Sequence, residues 1–296
     1  MAQRRVRATP VWEGVAASSV ALGSMALLTL PQPFDFELST DRFRVFGPDL
    51  ANLWHEGGLH RVVGGREVRI EAAAGGVDVE PLDPETEPVV SALLGLAFDL
   101  VAFYDFAQTE PVLVRLASGL AGFRPPLAPD PFESLVTSIS AQQVSLFAAF
   151  AVRNRFVERY GERGVEAYAF PTRERVAEAS AEDLRSLGFS RRKAEYVLGV
   201  ARSELDLYGL AELPDAEIQA RLTALPGIGE WTADWFLARH LARPRAWPAG
   251  DLGVRKAVAA FYGEVADLRV FGERFAPFEN LSAHYLLTGL RVMLPA

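Results

Sequence analysis

The sequence predicts an α+β fold in which a small antiparallel β-sheet domain precedes a mostly helical domain. Short runs of alternating apolar and polar residues, separated by Gly-Gly turns, fill the chain up to about Val79. Runs with apolar residues at helical spacing follow from Val89 onward. The proline-rich residues 123–131 precede a segment that is helical throughout, which predicts a domain boundary near residue 123.

We predict three segments: a loosely ordered tail at residues 1–24, an N-terminal α+β domain at residues 25–122 and a helical domain at residues 123–296. In the tail, three arginines precede an apolar run, a pattern that superficially resembles a secretory signal. Glu13 interrupts this pattern and no small-residue cleavage site precedes the next ordered element, so we do not expect export. The ordered chain is expected to begin near Met25.

Alternation and turn residues predict the strands of the sheet. Two glycine pairs, Gly64-Gly65 and Gly75-Gly76, are typical of hairpin turns and set the ends of neighbouring strands. The strands are expected at residues 26–30, 34–38, 43–46, 59–63, 67–71 and 77–80.

Helical periodicity begins after the proline-rich residues 81–88. Residues 89–106 are strongly apolar and contain no proline, so they predict one long helix, with a shorter helix at residues 111–120 beside it. In the second domain, Ser190 is an expected N-cap and Pro226 an expected helix end. The helices there are expected at residues 131–139, 145–160, 172–179, 181–187, 215–225, 230–241, 251–262 and 279–293, with one more beginning after Ser190.

The composition excludes several kinds of site. The absence of cysteine excludes disulfides, thiolate zinc sites and cysteine-ligated iron–sulfur clusters, and it fits a reducing cytoplasm. The four histidines show no metal-ligand spacing, so we expect no metal site.

The net charge of −8 argues at first against a nucleic-acid partner, because such binding depends on neutralising phosphates. The charge is unevenly distributed: residues 1–130 carry 10 Lys and Arg against 17 Asp and Glu, whereas residues 131–296 carry 20 against 21. A nearly neutral helical domain can still present a basic face. We expect such a face to bind DNA modestly and with a small salt dependence.

The stretch LPGIGEWTA at residues 225–233 predicts a tight turn between two helices. Gly227 and Gly229 permit positive φ and leave the backbone amides uncovered. Those amides lie at a helix N-terminus, where the free N–H groups and the helix dipole favour an anion. The turn therefore predicts a phosphate-binding site.

Two nearby features have simple structural explanations when taken alone. Asp251 follows Gly250 and precedes a helix, a position typical of an N-cap worth about 1 kcal/mol. The cations Arg191-Arg192-Lys193 open a helix, and a solvated helix face is their simplest interpretation.

Taken together, these segments resemble the helix-hairpin-helix DNA glycosylases, in particular the 3-methyladenine DNA glycosylase II family of the AlkA type. The hairpin alone is moderately specific, because ligases and polymerases also use it, but the hairpin, the downstream Asp and the AQQVS segment together are strong support. The resemblance covers most of the chain. Its matching segments are Pro33-Phe34-Asp35-Phe36, FESLV at residues 132–136, AQQVS at residues 141–145, Leu187-Gly188-Phe189, Arg192-Lys193-Ala194, the hairpin and Asp251.

The resemblance implies a TATA-binding-protein-like N-terminal sheet packed on a helical catalytic core. It implies excision of alkylated bases from double-stranded DNA by a monomer that is cytoplasmic, associated with the nucleoid and of prokaryotic type. No membrane partner is expected, and a monovalent cation at the hairpin carbonyls is the one cofactor that the resemblance leaves open.

Within this family, Asp251 would be the catalytic carboxylate. It would stabilise the positive charge that develops on the deoxyribose and orient or deprotonate the attacking water. An alkylated purine is already cationic and leaves readily, and an aromatic pocket can bind it by stacking and cation–π attraction. The aromatic candidates are Trp231 and Trp235, which are one helical turn apart, with Phe278 and, more weakly, Tyr285.

The same resemblance assigns the contacts with DNA. The hairpin residues Gly227, Ile228 and Gly229 would hold a phosphate. Gln143 would enter the duplex as a wedge that fills the gap left by a flipped nucleotide. Further DNA contacts are expected from Gln142, Thr232, Arg192 and Lys193.

One position bears on the class of reaction. Family members that also cut the DNA strand carry a Schiff-base lysine two residues after the second hairpin glycine, whereas this sequence has Trp231 there. We therefore expect a monofunctional glycosylase. Two alternatives remain. One is an oxidised-purine glycosylase, and the other is a damage-binding protein in which Asp251 only caps a helix. Phe278 and Glu279 replace the tryptophan and the basic residue usual in the family, which predicts a more open pocket.

Overall fold

The computed structural model describes residues 25–294. Their N-terminal part contains a five-stranded antiparallel sheet, and most of the remainder is helical, so the predicted α+β fold class is confirmed. The predicted tail at residues 1–24 lies outside the described residues. None of the helices within residues 25–294 is long and apolar enough to cross a membrane.

The sheet has the strand order β1-β5-β4-β3-β2. Ile70 pairs with both Leu59 and Val79, so the three apolar residues lie side by side on one face. All three are fully buried, which explains the alternation seen in the sequence. The strands are β1 Ala26–Thr29, β2 Leu53–His55, β3 Gly58–Val63, β4 Arg66–Ala73 and β5 Gly76–Glu80.

Two predicted strands were wrong. Residues 36–38 begin helix α1, Phe36–Thr40, because Asp35 accepts a hydrogen bond from the Leu38 amide at 2.8 Å and caps the helix. Phe43 ends a 3-10 turn, Asp41–Phe43, and residues 44–46 after it form no strand. Strand β2 was not predicted, since its three residues are too few to show alternation.

The single helix predicted at residues 89–106 is two helices, α2 Thr86–Leu93 and α3 Leu100–Ala107. Gly95 has a φ of +64° just after α2, a conformation that ends the helix. Asp99 then caps α3 by accepting from the Ala102 amide at 3.0 Å. Because residues 89–106 are strongly apolar, the sequence did not reveal that Gly95 ends one helix and Asp99 caps the next.

The predicted helices of the second part are confirmed, and Ser190 and Asp251 cap their helices as expected. Ser145 also caps its helix through its side chain, and Asp215 is the first residue of its helix. A short helix at residues 268–272 was not predicted. The helices are α4 Pro111–Gly119, α5 Pro131–Ala141, α6 Leu146–Tyr160, α7 Arg173–Ala177, α8 Ala181–Ser186, α9 Arg191–Arg202, α10 Asp215–Thr223, α11 Glu230–Arg239, α12 Leu252–Tyr262, α13 Leu268–Gly272 and α14 Glu279–Met293.

The buried apolar side chains form two clusters. The smaller one joins the sheet to α1 and α2. The larger one joins the helices of the second part and also includes Phe103 of α3 and Leu116 of α4. Helices α3 and α4 therefore share their core with the helical part, although they precede the proline-rich linker in sequence.

A buried ionic network connects the two parts. Glu133 of α5 accepts from Arg61 of β3 at 2.7 Å and from Arg153 of α6 at 2.6 Å. Arg153 also contacts Asp49, which precedes β2. Each of these four side chains is at most 7% exposed, and their charges cancel, so the network satisfies the requirement that buried charges be paired.

Candidate functional site

The turn between α10 and α11 has the geometry predicted for anion binding. Gly227 has a φ of +84°, and a Cβ there would lie 2.1 Å from the ring of Tyr196. Ile228 is buried and anchors the turn. The N–H groups of Gly227 and Gly229 donate to no acceptor within residues 25–294. These free amides at the start of α11 suit an anionic ligand.

Residues at the C-terminal end of helix α5 stabilise this turn through hydrogen bonds. At its C-terminal end, Gln142 donates through Nε2 to the Gly227 carbonyl at 2.9 Å and to the Thr232 hydroxyl at 3.3 Å. Thr232 is 1% exposed, so it stabilises the hairpin from within instead of facing solvent. Lys193 donates to the Ser140 carbonyl at 2.9 Å, and burial lowers the pKa of its ammonium. Arg192 remains exposed beside it.

Gln143 lies in the short loop between α5 and α6. It has a φ of +56°, a conformation uncommon for a residue other than glycine, and its side chain is exposed. Residues held in such sparsely populated backbone conformations cluster at functional sites. The position thus presents Gln143 at the edge of the same cavity that the hairpin borders.

Asp251 is both a helix cap and a fixed carboxylate. Its Oδ1 accepts from the Val254 amide at 3.0 Å, which caps α12. Its Oδ2 accepts from two indole N–H groups, those of Trp231 at 2.8 Å and Trp235 at 3.0 Å. Three donors therefore hold the carboxylate in one orientation.

These elements border one cavity of about 1330 Å³. The hairpin, the loop that carries Gln143, and Asp251 with its two tryptophans all line it. A space of this size exceeds an ordinary small-molecule pocket. It can accept a nucleotide together with the adjoining part of the strand that carries it. Except for Phe278 and Tyr285, the site residues predicted from separate parts of the sequence are thus brought together in one cavity.

The two exceptions, Tyr285 and Phe278, belong to the hydrophobic core. Tyr285 is fully buried; its hydroxyl donates to the Phe123 carbonyl at 2.9 Å, and burial raises the pKa of its phenol. Phe278 packs against Phe106 with 5.3 Å between ring centroids. Neither residue lines the cavity. Spacing along α14 could not distinguish a core aromatic from a pocket aromatic.

Trp235 and Thr232 line the cavity, but their contacts differ from the predicted roles. Trp235 is 2% exposed, and the guanidinium of Arg239 lies 3.6 Å from its ring centroid. That face is therefore not free to stack on a base, and the contribution of Trp235 to the cavity is its hydrogen bond to Asp251. Thr232, as described above, supports the hairpin. Trp231 is only partly buried and lines the cavity, so it remains able to stack on a base.

Several residues that line the cavity were not predicted, among them Arg42 and Arg239. Arg239 follows Trp235 by four residues, so the helical spacing could have placed it on the same face. Arg42 comes from the 3-10 turn of the N-terminal part, and no local pattern connects it with the hairpin.

The two hairpin glycines allow a test that separates folding from binding. A Cβ on Gly229 would meet no atom within 4 Å, and its φ of −97° suits any residue. We expect Gly229→Ala to fold normally but to bind double-stranded DNA about tenfold or more weakly, because the methyl group covers a phosphate-binding amide. Fluorescence anisotropy with labelled duplex measures the effect.

Gly227→Ala is the contrasting variant, since it is strained by both its φ and Tyr196. It should lower the thermal unfolding midpoint as well as the DNA affinity. An unchanged dissociation constant for Gly229→Ala would contradict the phosphate-binding role of the turn.

Comparisons with known proteins agree with this geometry. Residues 136–267 match the family model described as HhH-GPD superfamily base excision DNA repair protein. The chain is 30% identical over 207 residues to DNA-3-methyladenine glycosylase 2 of Escherichia coli, covering 66% of this chain and 70% of that protein. A solved 3-methyladenine DNA-glycosylase from Archaeoglobus fulgidus superposes with a TM-score of 0.80 at 30% identity, covering 90% of this chain and 98% of the other.

A relative in Bacillus subtilis, named DNA-3-methyladenine glycosylase, is 34% identical over 164 residues. That match covers 53% of this chain and 54% of the relative, so the chain spans about half the length of this curated protein.

Proposed function

Because the chain belongs to the HhH-GPD superfamily of base excision DNA repair proteins, we propose that it is a monofunctional DNA glycosylase that acts on alkylated bases in double-stranded DNA. The observation that carries the proposal is Asp251, fixed by two indole donors beside a hairpin whose amides are free. It would act in the cytoplasm on the nucleoid, as a monomer.

In the proposed reaction, the hairpin amides bind a DNA phosphate and place the neighbouring nucleotide at the cavity. Gln143 fills the space left in the duplex when the damaged nucleotide turns out, a rearrangement that costs a few kcal/mol and least for damaged pairs. Trp231 stacks on the extruded base.

Asp251 then stabilises the bond-breaking step. As the N-glycosidic bond breaks, positive charge develops on the deoxyribose, and a fixed carboxylate lowers the energy of that charge. The indole donors fix the orientation of the carboxylate, which places it to stabilise this charge and to orient the attacking water. The cationic base leaves as a neutral molecule with the electron pair of the broken bond. Water adds at C1′ and loses a proton to solvent, and the product is an abasic site.

The reaction requires no metal or organic cofactor. The family resemblance suggests a monovalent cation at the hairpin carbonyls. The Leu225 and Gly227 oxygens accept from the Ile228 amide and from Gln142, and each keeps a second lone pair that could coordinate such a cation.

Base release from duplex DNA that contains 7-methylguanine or 3-methyladenine tests the proposal. We expect release by the wild-type protein and an intact abasic strand as product. A protein that binds abasic DNA but releases no base from either substrate would instead be a damage-binding module.

The absence of strand cleavage is a separate prediction. Trp231 occupies the position of the Schiff-base lysine, and Lys193 donates to Ser140 in α5 instead of reaching Asp251. We expect borohydride to trap no covalent protein–DNA adduct during turnover, and alkali to be needed to cut the product strand. A trapped adduct would show an amine nucleophile and support the oxidised-purine alternative.

A further inference from the structure

The indole of Trp235 is a buried contact of Asp251. Its Nε1–H donates to the Asp251 Oδ2 at 3.0 Å, and the indole of Trp231 donates to the same oxygen at 2.8 Å. Trp235 is 2% exposed, so its one polar group is committed to this hydrogen bond. The orientation of the Asp251 carboxylate therefore depends on what holds the Trp235 ring.

Two side chains hold the Trp235 ring. The guanidinium carbon of Arg239 lies 3.6 Å from the ring centroid, and the ring of His284 lies 5.7 Å away with an angle of 61° between the two planes. Burial, and then the charge of Arg239, lowers the pKa of His284 well below its ordinary value, so the imidazole is neutral. Among residues 25–294, Arg239 is thus the one cation stacked on this ring.

The Arg239 side chain has no ion-pair partner among residues 25–294, and its Nε has no hydrogen-bond partner there. Burial lowers the pKa of Arg239, but a guanidinium stays protonated in proteins, so its charge persists. The charge of Asp251 raises the same pKa. The carboxylate and the guanidinium therefore lie within electrostatic range of each other, although they form no direct ion pair.

A cation above an aromatic face acts on the ring in two ways. It is attracted to the π electrons, which restricts rotation of the ring. It also draws electron density away from the indole nitrogen, so the N–H becomes a stronger donor, because a polarised group strengthens the next hydrogen bond in a chain. Both effects favour the hydrogen bond from Trp235 to Asp251.

We propose that Arg239 is a positioning residue that acts on Asp251 through Trp235. Its guanidinium fixes the indole ring and strengthens the Nε1–H donor, and the indole in turn holds Oδ2 in place for the bond-breaking step. The proposal rests on the glycosylase function proposed above and deepens it. In this role Arg239 contacts neither DNA nor Asp251, so removing its charge should slow base release without weakening DNA binding.

The first test replaces Arg239 with Met, which keeps a long side chain over the ring but removes the charge. Single-turnover release of 7-methylguanine and the dissociation constant for the same duplex are measured separately. We expect the rate to fall about tenfold, as for outer partners that orient a reacting group, and the dissociation constant to change by less than about twofold. Arg239→Lys keeps a cation and should restore part of the rate.

A double-mutant cycle shows whether the effect passes through the Trp235 N–H. Trp235→Phe keeps an aromatic ring but has no donor for Asp251. In that background Arg239→Met should lower the rate by less than about twofold, because the donor on which Arg239 acts is already absent. Equal losses of rate in the two backgrounds would overturn the proposal.

The indole N–H resonances in an NMR spectrum give a readout that does not depend on activity. The Trp235 resonance is identified by its loss in Trp235→Phe. We expect Arg239→Met to move this resonance upfield, as a weaker hydrogen bond does. An unmoved resonance would contradict the proposed action of Arg239 on the donor.

Two further variants keep the comparison specific. Arg274 also stacks on an aromatic ring, 4.9 Å from the centroid of Tyr262, but it lies outside the cavity, so Arg274→Met should leave base release unchanged. Thermal unfolding identifies a variant that fails to fold. Arg239→Gln, which is also uncharged, carries the cycle if Arg239→Met does not fold.

The outcomes separate the two proposals. An unchanged rate in Arg239→Met, or a loss of rate that weaker DNA binding explains, would overturn the positioning role and leave the glycosylase function intact. Absence of base release by the wild-type protein would overturn the proposed function itself.

Discussion

Replacing Asp251 with Asn is expected to lower the single-turnover rate of base release from methylated DNA by about 10²–10³. The amide carries no negative charge to stabilise the cationic deoxyribose. Its Nδ2 is also a donor, so it cannot accept from the indoles of Trp231 and Trp235, which now both bond to Oδ2. The substitution therefore removes the negative charge and the fixed orientation of the side chain at position 251 together.

Folding should survive this change, because Asn caps helices about as well as Asp and can still accept from the Val254 amide. The matched control is Asp99→Asn, which makes the same substitution at the N-cap of α3, outside the cavity. It should leave base release unchanged. Base release by Asp251→Asn at the wild-type rate, with both proteins folded, would reduce Asp251 to a helix cap.

The fold was predictable from sequence where periodicity was long and uninterrupted. Helix α14 begins and ends as predicted, and the two Gly-Gly turns located β3, β4 and β5. Residues 34–38 failed because five alternating residues also fit one turn of helix, and a single cap at Asp35 decided between them. A local sequence pattern predicts secondary structure poorly when one capping hydrogen bond contributes as much free energy as the pattern does.

The candidate site was predictable only where a residue's own neighbours in sequence reveal its environment. Gly227 has a local backbone reason to be glycine, whereas Gly229 has none. Asp251 immediately precedes the helix that it caps. Tyr285 differs, since its burial depends on Phe103 and Phe123 from distant segments. Arg42 reaches the cavity only because the N-terminal part packs against α5 and α6, which no sequence spacing records.

The ionic network that creates this packing is the second place where a single substitution should have a large effect. We expect Glu133→Gln to lower the free energy of unfolding by about 3–5 kcal/mol, because it leaves Arg61 and Arg153 buried with only Asp49 to balance them. Urea unfolding at neutral pH measures the change. Glu217→Gln, which removes the exposed partner of Arg221, should cost about 0.5 kcal/mol or less.

The pH dependence distinguishes loss of the charge from loss of packing. Burial alone would raise the pKa of the Glu133 carboxyl, but the charges of Arg61 and Arg153 and their hydrogen bonds outweigh it, so the pKa is lowered from 4.5. A lowered folded-state pKa contributes stability that is fully present above about pH 4.5 and is lost as the pH falls through the folded-state value. The gap between wild type and Glu133→Gln should therefore be constant from pH 7 to about pH 5 and narrow in acid. A gap that stays constant in acid would show that the carboxylate charge does not stabilise the contact between the two parts.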